Sequence, residues 1–230
     1  MEDKLYQLET IMDYMAPTVI TSIGPIEITS TVVMTWIVMI ILFIFAWIMG
    51  RNIAVRPTGK KQHIIEMALG FVIQQLEEIL GKDGRKYLPL VGTLFLFIIF
   101  LNMSWFIPNM QPPTTDFSTT FAFGITTVLI IQVISIGKNG VLGYVKHWAE
   151  PVPMLLPLNI IEEIIKPVTL GLRLYANMFG EKMAVTIIFI LIPVIVPTPI
   201  MMLGIIMGLI QALVFTLLPI TYLATHLHGH

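Results

Sequence analysis

Residues 155–192 read LLPLNIIEEIIKPVTLGLRLYANMFGEKMAVTIIFILI, and the fold turns on them. Six charged residues, Glu162, Glu163, Lys166, Arg173, Glu181 and Lys182, fall inside this otherwise largely apolar stretch. Laid out as one helix, residues 158–192 would extend about 50 Å at about 1.5 Å per residue. The hydrocarbon core of a bilayer is only about 30 Å thick. The stretch therefore predicts a helix that tilts steeply, kinks at Pro167, or both. On a wheel at about 100° per residue, Glu162, Lys166, Arg173, Asn177 and Glu181 share an arc of roughly 100°. Its centre is Arg173-x-x-x-Asn177-x-x-x-Glu181, three polar groups stacked on one face. Lys182 lies about 100° away from Glu181 and is expected to snorkel toward the interface.

An arginine at bilayer depth costs at least about 2.5–3.5 kcal/mol, and its guanidinium cannot shed its proton to escape that cost. It marks a place where a permanent positive charge meets a carboxylate or a water-filled path. The competing reading is a structural ion pair or a snorkelling side chain at a span end. Glu181 lies two turns from Arg173, about 12 Å along the axis, too far for direct contact, so a protonatable group on an aqueous path is the favoured reading. Gln211 and Asn102 are lone amides in apolar spans, a pattern more often explained by helix–helix hydrogen bonds. Gly204-x-x-x-Gly208 reads as plain helix packing. His226, His228 and His230 resemble a metal tract only superficially, and no metal site or cofactor is expected.

Outward from this stretch, composition agrees. The 230 residues are 56% hydrophobic and 12% charged, with a mean hydropathy of +0.87. A soluble domain usually carries about 25% charged residues. The net charge of −1 supplies no basic field for nucleic acid. The absence of cysteine excludes disulfides, thiolate chemistry and Cys-ligated metal. No GxxxxGK[ST] phosphate loop is present, so nucleotide chemistry would belong to partners.

The expected architecture is an all-α integral membrane protein, one membrane domain over residues 1–230, with about five membrane-embedded helices and one amphipathic interfacial helix. Residues 1–30 form an acidic outer segment, not a signal peptide, which would open with positive charge. Residues 31–50 are a first span with Trp36 and Trp47 near its ends. Arg51, Arg56, Lys60 and Lys61 follow it, which by the positive-inside rule are cytoplasmic. Residues 62–80 carry a polar stripe (His63, Glu66, Gln74, Glu77) and predict a cytoplasmic-side amphipathic helix. Residues 88–136 form a two-span hairpin, Leu88–Pro108 and Thr120–Ile136, whose outer connection, residues 109–119, lacks Lys and Arg. The return loop holds Lys138, Lys146 and His147. A Pro-rich turn at 193–199 then leads into a last span from Ile200 to about Tyr222. Residues 155–225 thus form a long tilted helical hairpin.

The segment KPVTLGLRLYANMFGE, residues 166–181, resembles the signature of subunit a of F-type ATP synthases, roughly K-P-[LV]-[ST]-L-x-x-R-L-x-x-N-[IM]. The resemblance continues in LLPLNIIEE (155–163), VPTPIMMLG (196–204), IQALVF (210–215) and FLNMSWFIPN, where Asn102 sits as the family's second-span asparagine does. It covers most of residues 88–225, and the N-terminal 60 residues agree only in hydropathy. It implies a stator subunit with two offset half-channels facing a rotating ring of small hairpin proteolipid subunits (subunit c). Arg173 would match the family's essential arginine, Asn177 and Gln211 polar residues beside it, Glu181 an acidic position of the outer half-channel, and Glu162 a carboxylate near the inner exit. Lys182 stands where many members carry glutamate, a departure that bears on any scheme needing paired acids there. The transported ion would be H⁺, or Na⁺. The partners implied are subunit c, the peripheral-stalk subunit b, the catalytic ATPase sector indirectly, and the lipid bilayer, with no nucleic acid. The setting would be a bacterial plasma membrane with the N-terminus outside, the alternative being an organellar energy-coupling membrane. A stand-alone secondary transporter or channel is the competing function. It predicts internal repeats and a broken-helix site, neither of which is found. A purely structural anchor would leave the Arg173 face without explanation.

Overall fold

The computed structural model describes residues 18–23, 26–51, 60–106, 112–149, 154, 156–191 and 197–228. Residues 1–17, the stretch around Arg56, the connection at 107–111 and the Pro-rich stretch at 192–196 lie outside them. The fold is the all-α one expected, with two short strands before the first helix as its non-helical addition. These are β1 (Val19–Ile23) and β2 (Ile26–Thr29), an antiparallel pair. The β-branched run VITSI and IEIT favours extended backbone and is far too short to span. Ser30 N–H donates to Thr18 O at 2.8 Å and ties the hairpin to the next element.

That element is α1 (Ser30–Arg51), apolar on all sides, as a lipid-facing span requires. Val38 packs on Phe97 and Leu101, while Trp36, Phe43 and Trp47 stay exposed. The amphipathic helix α2 (Lys60–Leu80) buries Val72, Leu76 and Leu80, an i, i+4, i+8 stripe, in the main core. Its polar side is solvated: Gln74 donates to Glu78 at 2.9 Å and Glu77 pairs with Arg85. A 3-10 segment, Gly81–Tyr87, leads into α3 (Leu88–Met103). After the 3-10 turn Pro113–Thr115 comes α4 (Phe117–Ala149). The third span was expected to end at Ile136. The helix instead runs on until Gly140, whose positive φ (70°) breaks it, and then resumes to Ala149.

The last two helices are α5 (Leu156–Leu191, 36 residues) and α6 (Pro197–His228, 32 residues). Pro167 lies inside α5 without ending it. Pro197 opens α6, because a proline in the first turn gives up no internal hydrogen bond, so α6 starts before the expected Ile200 and ends after Tyr222. α5 packs along α4 and α6. The α4 crossing is close because Gly124 lies on the Pro167 carbonyl and Gly171, and Gly171 lies on the Thr120 and Phe121 backbone. The core joins α2, α3, α5 and α6 through Leu76, Phe95, Ile98, Leu170, Leu174 and Phe215.

Among the described residues, four stretches are long and apolar enough to cross a membrane: Ser30–Ile48, Asp83–Met103, Phe117–Lys138 and Thr198–Thr225. The charged α5 is not among them. At one end of the bundle Arg85 pairs with Glu77, Lys86 with Asp83, and Lys138 Nζ lies 5.7 Å from the Tyr87 ring centroid. At the other, Thr31 Oγ1 donates to Asp116 Oδ2 at 2.9 Å, joining the starts of α1 and α4.

Candidate functional site

The site is built on the faces of α5. Gly171 and Tyr175 meet α4, Tyr175 edge-on to Phe117 at 5.6 Å. Leu170, Leu174 and Met178 are buried. Asn177 and Glu181 look toward α6, and Glu162 and Arg173 are exposed. The predicted polar stripe therefore exists, but its members separate. The helix presents Arg173 outward and turns the two residues that follow it on the stripe into the α5/α6 seam.

Arg173 has no ion pair or hydrogen bond among the described residues. Ile161, Ile164 and Ile165, earlier on α5, are exposed apolar side chains, as is Leu172, the neighbour of Arg173. One turn on, Asn177 Nδ2 reaches Gln211 Oε1 of α6 at 3.4 Å. A further turn on, the Glu181 carboxylate rests directly on Gly204. Asn102 of α3 completes the belt, donating from Nδ2 to the Gly208 carbonyl at 3.1 Å. Asn102 and Gln211 are each 4% exposed, and Asn102 Oδ1 and Gln211 Nε2 have no hydrogen-bond partner among the described residues. Buried polar atoms of this kind are normally satisfied, commonly by water. Asn102, Glu181, Asn177 and Gln211 thus make one polar belt across three helices, ending near Arg173.

At the other end of the stripe the arrangement departs from the expectation. Lys166 does not simply continue the Arg173 face. Its ammonium turns to Glu163 at 2.8 Å, with Glu162 at 3.6 Å and the Tyr222 ring centroid at 4.9 Å. Gln132 of α4 donates to Glu163 Oε1 at 3.1 Å. Glu162, the carboxylate singled out from the sequence, is the solvated member of this group, and Glu163 is the buried one. Lys182 also departs from the snorkelling expectation. It shares the angular position of Gly171 and Tyr175, is 5% exposed, and its Nζ has no hydrogen-bond partner among the described residues.

This architecture can be set beside known proteins. Residues 32–224 match the family described as "ATP synthase A chain". The chain is 55% identical to ATP synthase subunit a of Moorella thermoacetica over 95% of its own length and all of that protein. It is 32% identical to ATP synthase subunit a 1 of Crocosphaera subtropica, covering 88% of this chain and 89% of that one. A subunit a 1 from Chlorobaculum parvum is 33% identical, covering 87% and 89%. The chain belongs to the ATP synthase A-chain family. It is accordingly a membrane-sector subunit on the stator side of an ATP synthase, engaged in ATP synthesis and ion transport.

In this A-chain member, sequence reasoning missed Glu163, Gln132 and Tyr222 as a set. Glu163 carried a signal, a second carboxylate beside Glu162 and one turn before Lys166. Gln132 and Tyr222 carried none, because only the packing of α4 and α6 against α5 brings them to that ion pair.

Proposed function

We propose that this chain is the ion-translocating stator subunit of a rotary ATP synthase, passing H⁺ through two offset half-channels to a rotating ring of small hairpin proteolipid subunits. In this reading α5 is the fifth membrane-embedded helix, the N-terminus lies outside a bacterial plasma membrane, and subunit b and the catalytic sector complete the machine. One observation carries the proposal. Arg173 is exposed on an apolar face of α5 with no acidic partner among the described residues. A lone guanidinium facing hydrocarbon costs at least about 2.5–3.5 kcal/mol, so the compensating carboxylate belongs to a neighbouring subunit.

The electrostatics then do work. At about 4 Å and an effective dielectric near 20, the attraction is about 4 kcal/mol, equivalent to about three pKa units on the ring carboxylate. Beside Arg173 that carboxylate is held ionised. Away from it, desolvation in lipid favours the protonated form. The outer path comprises Asn102, Glu181, Asn177 and Gln211. The inner path passes Glu162, at the end of α5 that meets Gln132 of α4. Arg173, between the two, bars direct leakage.

The test is the assembled complex in vesicles. Arg173→Ala abolishes ATP-driven proton pumping, and Arg173→Lys fails badly, because a compact ammonium can deprotonate when buried. Near-normal pumping by Arg173→Ala overturns the role.

A further inference from the structure

Gly204 and Gly208 of α6, which read from the sequence as ordinary helix packing, border the polar belt. A Cβ built on Gly204 would coincide with the Glu181 carboxylate. A Cβ on Gly208 would come within 3.4 Å of Asn102 Cβ and 3.8 Å of its Nδ2, while the Gly208 carbonyl accepts the Asn102 hydrogen bond at 3.1 Å. Gly124 and Gly171 are closed by backbone, whereas at Gly70 and Gly180 an added Cβ meets nothing within 4 Å, so the clash with a carboxylate is particular to Gly204. Between the two α6 glycines runs a cleft of about 80 Å³, bordered also by Asn102, Met103 and Ile205. Ile99 and Leu209 complete its mainly apolar wall, in which Asn102 is the polar side chain.

We propose that Gly204 is a positioning residue for Glu181, its missing side chain forming a notch in α6 that holds the carboxylate against the backbone. Gly208, one turn on, is not such a notch: a Cβ there would meet Asn102 at ordinary contact distance, and its part is the carbonyl that accepts the Asn102 hydrogen bond. The inference rests on the reading of Glu181 as a proton-exchanging group on the outer path. The notch works by sterics. A methyl at 204 drives the carboxylate off the α6 backbone, although alanine is intrinsically the better helix residue. A lesion in flux without a lesion in assembly is therefore its mark.

The experiment measures ATP-driven proton uptake in vesicles holding the whole complex, across pH, with assembly followed by copurification. Gly204→Ala is expected to assemble, to lose flux by about tenfold to a hundredfold, as small misplacements of reacting groups do, and to shift the pH profile. Glu181→Asp added to Gly204→Ala shortens the side chain by one methylene and recovers most of that flux. Gly180→Ala behaves as the parent. If Gly204→Ala fails to assemble, Gly204→Ala/Glu181→Ala decides: restored assembly supports the notch, and continued failure overturns it. Parent-like flux and pH profile in Gly204→Ala, or a defect that Glu181→Asp does not relieve, also overturns it. Parent-like flux in Glu181→Gln instead strikes at the role of Glu181 itself, which separates the two failures.

Discussion

Glu163→Gln removes one charge from a buried pair while keeping its shape. The side chains of Glu163 and Lys166 are 9% and 12% exposed and 2.8 Å apart. After the change, the Lys166 ammonium keeps Glu162 at 3.6 Å, a carboxylate 66% exposed, and the Tyr222 ring at 4.9 Å. Stranding one member of a buried pair costs about 3–5 kcal/mol. Against this, a solvated carboxylate returns about 0–1 kcal/mol and the aromatic ring about 1 kcal/mol. The net loss is about 1–4 kcal/mol, or about 5-fold to nearly a thousandfold in the folding equilibrium. Glu163→Gln/Lys166→Met strips both charges and returns to within about 1 kcal/mol of the parent, since a buried pair contributes little beyond an apolar replacement. Reversible denaturation of the purified chain in mixed micelles measures both. A loss below about 0.5 kcal/mol for Glu163→Gln, the range of ordinary surface changes, refutes the reasoning. So does a double variant no more stable than the single one.

Two further outcomes follow from the same geometry. Lys182→Met replaces a buried ammonium that lacks a hydrogen-bond partner among the described residues with an apolar side chain of similar length, and raises stability by about 1 kcal/mol or more, with proton flux little changed. A drop in stability in the same micelle assay contradicts it. For topology, Ser118→Cys in the cysteine-free chain is labelled by an impermeant reagent on intact cells, whereas Thr58→Cys is labelled only after permeabilisation. The opposite pattern inverts the proposed orientation.

The sequence by itself determined the class of this protein. Apolar runs of bilayer length, basic loops alternating with acid or neutral ones, and a period of 3.6 in residues 162–181 are local properties of the chain, legible wherever it folds. The same periodicity put Arg173, Asn177 and Glu181 on one face and set Lys182 apart. Which polar groups meet was decided by tertiary structure. Lys166 turned to Glu163 because Gln132 and Tyr222, far away in sequence, close around that pair. Lys182 went inward because its face of α5 is the one that α4 covers, a fact about helix packing to which a wheel of α5 alone is blind. The two glycines of α6 read as spacers in one dimension. Only the antiparallel register of α5 and α6 set Gly204 under Glu181, and the crossing of α3 set Gly208 under Asn102. A missing side chain acquires chemical meaning only from what occupies its space, and that occupant comes from another helix.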